Sequence, residues 1–225
     1  MRLTLLLLAI AACGKKPIEA APSDKPAAKL DGMFCVTKGT ASIGATITEP
    51  TVRAVSLGSS GDSASLEFTY RGDTATTREL ASGKTRRQLG LKLRAMNGCN
   101  LVYVMWRLDP RPMLDISFKL NPGARTHQDC GADGYTKLKP TTSTPVPVLA
   151  RGDTHTLRAE ITGDELLAYI DDALVWKGTL PDSVRTLSGP AGLRSDNLAF
   201  ELVAFAAAAG DTNQPLPKCT AEDGD

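Results

Sequence analysis

RQLGLKLRAMNGCNLVYVMWRLDPRPMLDISFKL, residues 87–120, is the stretch in which apolar and polar residues alternate most regularly. Alternation with a period of two is typical of a β-strand that has one buried face. Residues 88–95, 101–108 and 114–120 each place an apolar set on one face. The opposite face carries lysine, arginine, aspartate and tyrosine side chains. The stretch therefore predicts three neighbouring strands that share one apolar face.

The apolar faces also predict how the last two strands pair, because a slip of one residue would turn one apolar set outward. We expect a hairpin around a loop formed by residues 109–113. In this register Leu108 pairs with Leu114, and Trp106 pairs with Ile116. Trp106 lies on the apolar face, so it is predicted to be a core residue.

Other short segments of strand-like pattern occur along the chain, separated by Gly and Asp turns. No long segment has helical periodicity, and no internal repeat is present. Many short strands with regular turns indicate an all-β sandwich or barrel. The additional predicted strands are residues 51–56, 64–70, 154–161, 166–170, 174–180, 189–194 and 198–206.

The N-terminal residues 1–12 predict a removable export signal. Arg2 precedes an apolar run from Leu3 to Ile10 that is too short to span a bilayer. The sequence Ile-Ala-Ala-Cys that ends at Cys13 resembles the bacterial lipobox, in which the cysteine is lipidated and becomes the mature N-terminus. The alternative is an ordinary secretory signal followed by a chance cysteine.

Residues 13–31 are rich in Lys, Ala and Pro and poor in large apolar residues, which predicts a flexible tether. Gly14, rather than Asp, follows the cysteine, so the resemblance favours the outer membrane of a bacterial envelope. Residues 32–219 are long enough for one domain with a full sandwich core. Residues 220–225 form a short acidic tail.

The charge of the chain is nearly balanced, with 26 basic and 25 acidic side chains. Removal of the predicted signal, which contains Arg2, would make the two numbers equal. A chain without a basic excess is not typical of nucleic-acid-binding proteins, so we expect no nucleic-acid partner.

Four cysteines lie in the predicted domain, and an even number in an exported protein predicts two disulfides. Three connectivities are compatible with four cysteines. We favour Cys35 with Cys219, which would join the ends of the domain. The second pair would then be Cys99 with Cys130, which would attach the long irregular segment 121–150 to the central hairpin.

A metal site is the competing interpretation of the same cysteines. It would use Cys99 and Cys130 together with the two histidines of the chain, His127 and His155. No CxxC pair is present, and the predicted compartment is oxidising. We therefore predict no metal and no other cofactor.

THTLRAEITGDELLAYIDDALVWKGTL, residues 154–180, and GPAGLRSDNLAFELVAFAAAAG, residues 189–210, resemble the concanavalin A-like lectin/glucanase superfamily, particularly its laminin-G-like branch. Both the strand of the form H-x-L-x-x-x-x-x-G and the later motif G-x-x-G-L-x-S are typical of that branch. The resemblance covers most of residues 64–206. It implies a two-sheet antiparallel jelly-roll β-sandwich that holds ligands on its concave face or in rim loops.

The resemblance suggests a role for the polar face of the central strands. A surface that mixes cations, hydrogen-bonding groups and an aromatic ring suits a sugar or an anionic group. The alternative is a solvated sheet face with ordinary cross-strand ion pairs. Within the long segment, His127 and Tyr135 are candidates at the rim of the site. The candidates on the sheet face are Lys92, Arg94, Tyr103, Arg107, Asp115 and Lys119.

Catalytic residues are not assigned. Glucanases of the superfamily carry two glutamates in a Glu-x-Asp-x-x-Glu arrangement, and this chain contains no such motif. The functional hypothesis is a membrane-anchored, extracytoplasmic binding module for glycan or another envelope component. A carbohydrate-active enzyme, hydrolase or lyase, is one alternative, and a cleft with two facing carboxylates would favour it. A structural or protein-interaction lipoprotein is the other, and an exposed apolar patch would favour it.

Replacement of Cys13 by Ser tests the lipid anchor. Without the thiol that accepts the lipid, the protein should be lost from the membrane fraction of the cells that produce it, as measured by fractionation and immunoblotting. Unchanged membrane association of the variant would contradict the lipobox interpretation.

Overall fold

The structure, a computed structural model, describes residues 34–131 and 134–210. Within these ranges the helical elements are short: helix α1 covers His127–Cys130, and a 3₁₀ turn covers Asp182–Thr186. None of the helices in the described ranges is long and apolar enough to cross a bilayer. The strands are β1 Phe34–Lys38, β2 Thr46–Ile47, β3 Thr51–Ser56, β4 Ser59–Asp73, β5 Gln88–Asn97, β6 Asn100–Arg107, β7 Met113–Leu120, β8 Tyr135–Lys137, β9 Thr142–Ser143, β10 Thr154–Thr162, β11 Glu165–Ile170, β12 Ala173–Thr179, β13 Gly192–Asp196 and β14 Leu198–Ala209.

The strands form two sheets of seven. The first sheet has the order β1-β3-β13-β5-β6-β7-β8, and the second has the order β2-β14-β4-β10-β11-β12-β9. Neighbouring strands are antiparallel throughout both sheets. The prediction of an all-β, two-sheet antiparallel jelly-roll β-sandwich is confirmed.

The core lies between the two sheets and is built from the alternating apolar sets. Leu89, Leu91 and Leu93 of β5 are buried against the facing sheet. Trp106 of β6 is buried as well, and its ring packs edge-on against Phe68 of β4 with a centroid separation of 5.9 Å. The prediction that Trp106 belongs to the core is therefore confirmed.

The hairpin between β6 and β7 differs from its predicted register by two residues. Trp106 pairs with Leu114 instead of Ile116. Leu108 lies beyond the residues of β6 that pair with β7, and its N–H donates to the carbonyl of Arg87 at 2.9 Å. A shift of two residues keeps every side chain on its predicted face, so the apolar pattern alone did not distinguish the two registers.

The long segment 121–150 is less irregular than the sequence predicted. It contains α1 and the short strands β8 and β9, which extend the edges of the two sheets. The Cys99–Cys130 disulfide is present, as predicted, and connects the start of β6 to α1. It uses both sulfur atoms that the competing metal site would have needed.

Several sequence-based predictions lie outside the described residues. Cys219 is one of these residues, so its pairing with Cys35 stays a prediction. The same holds for lipidation of Cys13, for the tether 13–31 and for the acidic tail 220–225.

Candidate functional site

The outward face of the first sheet carries a cavity of about 440 Å³, here called the outer-face cavity. Residues 78–82 and 86, from the connection between β4 and β5, form one side of it. Lys38 and Thr51 add to the lining near β1 and β3. Its base is formed by outward-facing residues of six strands, namely Arg53, Gln88, Tyr103, Met105, Asp115, Ser117, Tyr135, Lys137, Arg194 and Asp196.

The register of the sheet explains why these residues meet. Arg53, Arg194, Gly90, Met105 and Asp115 form one cross-strand row from β3 to β7. Residues in one row of an antiparallel sheet point to the same face. Gly90, in the middle of the row, is buried, and a Cβ atom at this position would clash with the backbone of Val104.

At one end of the row, Asp196 is the centre of a buried polar network. Arg53 Nη2 donates to its Oδ1 at 2.6 Å, Gln88 Nε2 donates to Oδ2 at 2.6 Å, and Arg194 Nε donates to Oδ2 at 2.9 Å. Burial alone would raise the pKa of Asp196. The charges of Arg194 and Arg53 and the hydrogen bond from Gln88 outweigh burial and hold this pKa well below its ordinary value.

At the other end, the Asp115 carboxylate lies within 4 Å of three cationic groups. Arg107 Nη1 is 2.6 Å from its Oδ2, Lys137 Nζ is 3.2 Å away, and Arg86 Nη1 is 3.7 Å away. These cations come from β6, from β8 and from the connection before β5. The Asp115 carboxylate therefore joins the sheet to the loop that borders the cavity.

Two tyrosines lie between these charged groups. The rings of Tyr103 and Tyr135 are stacked with centroids 5.8 Å apart. The Arg194 guanidinium lies 4.9 Å from the centre of the Tyr103 ring, and its Nη1 donates to Tyr135 Oη at 3.1 Å. Cations that face aromatic rings stabilise the position of both groups. The cavity thus combines aromatic surface with hydroxyl and charged groups.

The loop beside the cavity is fixed by a buried asparagine. Asn197 Oδ1 accepts the N–H of Arg78 at 2.7 Å, and Nδ2 donates to the carbonyls of Arg78 and Arg86 at 2.9 Å each. Asn197 has a φ of 56°, a left-handed conformation that asparagine adopts more readily than most residues. One buried amide therefore anchors both ends of the segment 78–86.

Three of the residues predicted from the sequence line the cavity: Tyr103, Asp115 and Tyr135. Tyr135 lies in strand β8, whereas the sequence predicted a loop. Arg107 is not a lining residue, but its Nη1 donates to Oδ2 of the lining residue Asp115 at 2.6 Å. His127 lies in α1, and its side chain is outside the described part of the structure.

The other predicted residues are not among the lining residues. Arg94 forms an ion pair with Asp62, with Nε 2.6 Å from Oδ1. Lys119 is fully buried, and its Nζ donates to the carbonyl of Gly98 at 2.9 Å. Lys92 is buried in the row that also contains Tyr103.

The polar residues of the site that sequence analysis missed include Arg53, Arg86, Gln88, Lys137, Arg194 and Asp196. A signal was present for two of them, because Arg194 and Asp196 alternate with Leu193 and Ser195 at the end of the predicted strand 189–194 and directly after it. Charged residues at alternate positions of a strand mark a polar face. Nothing local indicates that β13 lies between β3 and β5, so the cluster was not evident.

Comparison with known proteins gives structural similarity only. No family model matches the chain, and no curated protein matches it. The carbohydrate-binding module CBM66 from Bacillus subtilis is 15% identical, with a TM-score of 0.50, and the match covers 77% of this chain and 95% of that one. A tetrameric galectin from Cinachyrella sp. is 14% identical, with a TM-score of 0.43 and coverage of 70% and 97%.

The carbohydrate recognition domain of Emp46p is 15% identical, with a TM-score of 0.41 and coverage of 78% and 82%. At such low identity, the similarity to CBM66 shows a shared fold. The protein is thus a jelly-roll β-sandwich. A fold does not determine a ligand, which depends on the residues of the site.

Replacement of Asp196 by Asn tests the buried network. The variant keeps the shape of the side chain but leaves Arg53 and Arg194 without their buried countercharge. We expect the free energy of unfolding at pH 7 to fall by about 3–5 kcal/mol, as measured by urea denaturation. The matched control is Asp62→Asn, which removes a more exposed carboxylate and should cost about 1 kcal/mol or less.

The stabilities of wild type and Asp196→Asn can also be compared as a function of pH. The folded-state pKa of Asp196 lies below its unfolded value, so its contribution is present above the unfolded pKa and is lost as the pH falls. The stability difference between wild type and Asp196→Asn should therefore shrink as the pH drops below about 4. A constant difference from pH 7 to pH 3 would contradict the assigned role.

Proposed function

We propose that the protein is a carbohydrate-binding module whose ligand binds in the outer-face cavity. The observation that carries this proposal is the cavity itself, because it combines stacked tyrosines with hydrogen-bonding and charged groups on one sheet face. Its volume of about 440 Å³ lies within the usual range for small-ligand sites. The fold shared with CBM66 agrees with this function but does not establish it.

The chemistry of the lining suits a saccharide. A sugar ring has C–H groups on its faces and hydroxyl groups around its edge. Met105 and the ring of Tyr135 offer surface for the former. Ser117 Oγ, the Asp115 carboxylate and the Lys137 ammonium offer acceptors and donors for the latter. A ligand with both kinds of surface would use the cavity fully.

Ion pairing of the two carboxylates at the base of the cavity favours binding over hydrolysis. Glycoside hydrolysis uses one carboxyl group as a proton donor and a second as base or nucleophile. Asp196 is ionised at neutral pH, since its pKa is well below the ordinary value, and it accepts three hydrogen bonds from buried groups. The contacts of Asp115 with Arg86, Arg107 and Lys137 are all made by its Oδ2 atom.

The proposed place of action is the bacterial cell envelope. Lipidated Cys13 would anchor the chain in the outer membrane, and the tether 13–31 would carry the domain away from the bilayer. Its partner would then be a glycan or another envelope component. The competing protein-interaction role would use an exposed apolar patch. The large apolar side chains exposed in the described ranges lie in four separate segments: Ile43, Met96, Val148 and Leu174.

A glycan-array screen with a blocking variant tests the proposal. Ser117 is partly exposed on the base of the cavity, so Ser117→Trp would fill the space with an indole ring. We expect wild type to bind a defined group of glycans, and the variant to lose at least about 90% of that signal. Ala81→Trp, from the exposed loop beside the cavity, is the second blocking variant in case the first disturbs folding.

The matched control is Ser65→Trp, which makes the same change on β4 of the second sheet, away from the cavity. Circular dichroism of each variant should match wild type. Equal binding by wild type and both blocking variants would remove the cavity as the glycan site. Absence of binding to every glycan on a broad array would contradict the proposed function.

A further inference from the structure

The group around Asp115 contains more positive than negative charge. Arg107, Lys137 and Arg86 all lie within 4 Å of this single carboxylate, at 2.6, 3.2 and 3.7 Å. Asp115 is itself largely buried, so water screens the group only in part. Three cations around one anion leave a surplus of about two positive charges at this end of the cavity.

Arg86 is the least compensated of the three cations. Its side chain is only 25% exposed. Its Nε is buried and makes no hydrogen bond within the described part of the chain. Burial lowers the pKa of Arg86, and the positive charge of Arg107 lowers it further, against the opposing effect of Asp115. A guanidinium in this situation gains more from an added anion than a fully solvated one does.

The surplus is local to the cavity. The chain as a whole has a net charge of +1. On the second sheet, basic side chains pair with acidic ones singly: Arg71 with Glu201, Arg158 with Glu160, and Lys177 with Glu165. The end of the cavity near Asp115 departs from this pattern, and it does so where the base of the cavity meets its bordering loop.

We infer that the ligand of the outer-face cavity is an acidic saccharide whose anionic group binds at Arg86, beside Asp115. The inference rests on the proposed function and narrows it from glycans in general to those that bear a carboxylate or a sulfate. A carboxylate is planar and a sulfate is tetrahedral, and the oxygens of both accept hydrogen bonds from a guanidinium. Arg86 would bind the anion, Lys137 would add charge at the more exposed side, and Arg107 would stay with Asp115.

Matched acidic and neutral ligands test the inference with the purified full-length protein. The first pair is an oligogalacturonate and its fully methyl-esterified form, which share a backbone and differ in charge. The second pair is a sulfated galactan oligosaccharide and its desulfated form. Affinities are measured by isothermal titration calorimetry. We expect at least one acidic ligand to bind about tenfold more tightly than its neutral partner, and the pair that does so identifies the anion.

Replacement of Arg86 by Gln locates the effect. The variant should lose about tenfold in affinity for the preferred acidic ligand, and with it most of the preference of wild type for that ligand over its neutral partner. Arg158→Gln removes one positive charge from the second sheet and serves as the control, with both affinities unchanged. Thermal unfolding verifies that the variants are folded. The comparison of acidic and neutral ligands needs only wild type, so it stands even if Arg86→Gln is unstable.

The outcomes separate the two proposals. Equal affinity for the acidic and neutral members of both pairs would overturn the acidic ligand and leave the glycan-binding function in place. A preference for the acidic ligand that Arg86→Gln retains would overturn the assignment of this residue. Absence of binding to both pairs and to a broad glycan array would overturn both proposals.

Discussion

The candidate site depends on the hydrogen bonds that the buried Asp196 carboxylate accepts. It accepts hydrogen bonds from Arg53 of β3, Gln88 of β5 and Arg194 of its own strand, and so connects three neighbouring strands on the outward face of the first sheet. A buried ion pair is weak evidence for net stability, because desolvation offsets much of the attraction. Its consequence here is positional, since Arg194 is held where its guanidinium also faces Tyr103.

Asn197, directly after Asp196, holds the loop beside the cavity in place. Asn197 is buried at the end of β13, and its side-chain amide binds the backbone of Arg78 and Arg86. The base of the cavity and the loop beside it are thus fixed from adjacent positions in the sequence. Arg86 is thereby brought close to Asp115, where three cations share one carboxylate. Of the three cations at this end of the cavity, Arg86 thus depends on Asn197 for its position, whereas Arg107 and Lys137 belong to β6 and β8.

The fold was accessible from the sequence, whereas only part of the site was. Alternating apolar residues identified the central strands and the core position of Trp106, because one face of each strand is buried. The same alternation placed Lys119 on the polar face but gave no sign that β8 covers it, so its burial was missed. Arg53 and Asp196 belong to strands that are distant in sequence from β5 and β6. Their contact depends on strand order, which local patterns do not encode.

A titration of the isotope-labelled protein with an acidic oligosaccharide, followed by amide chemical shifts in NMR spectra, tests whether acidic saccharides bind in the outer-face cavity. We expect shift changes to concentrate in β6, β7 and β8 and in the loop 78–86, with the largest near Arg86 and Ser117. Amides of β4, β10 and β11 in the second sheet should change little. Shift changes centred on the second sheet would contradict the assignment of the outer-face cavity as the ligand site.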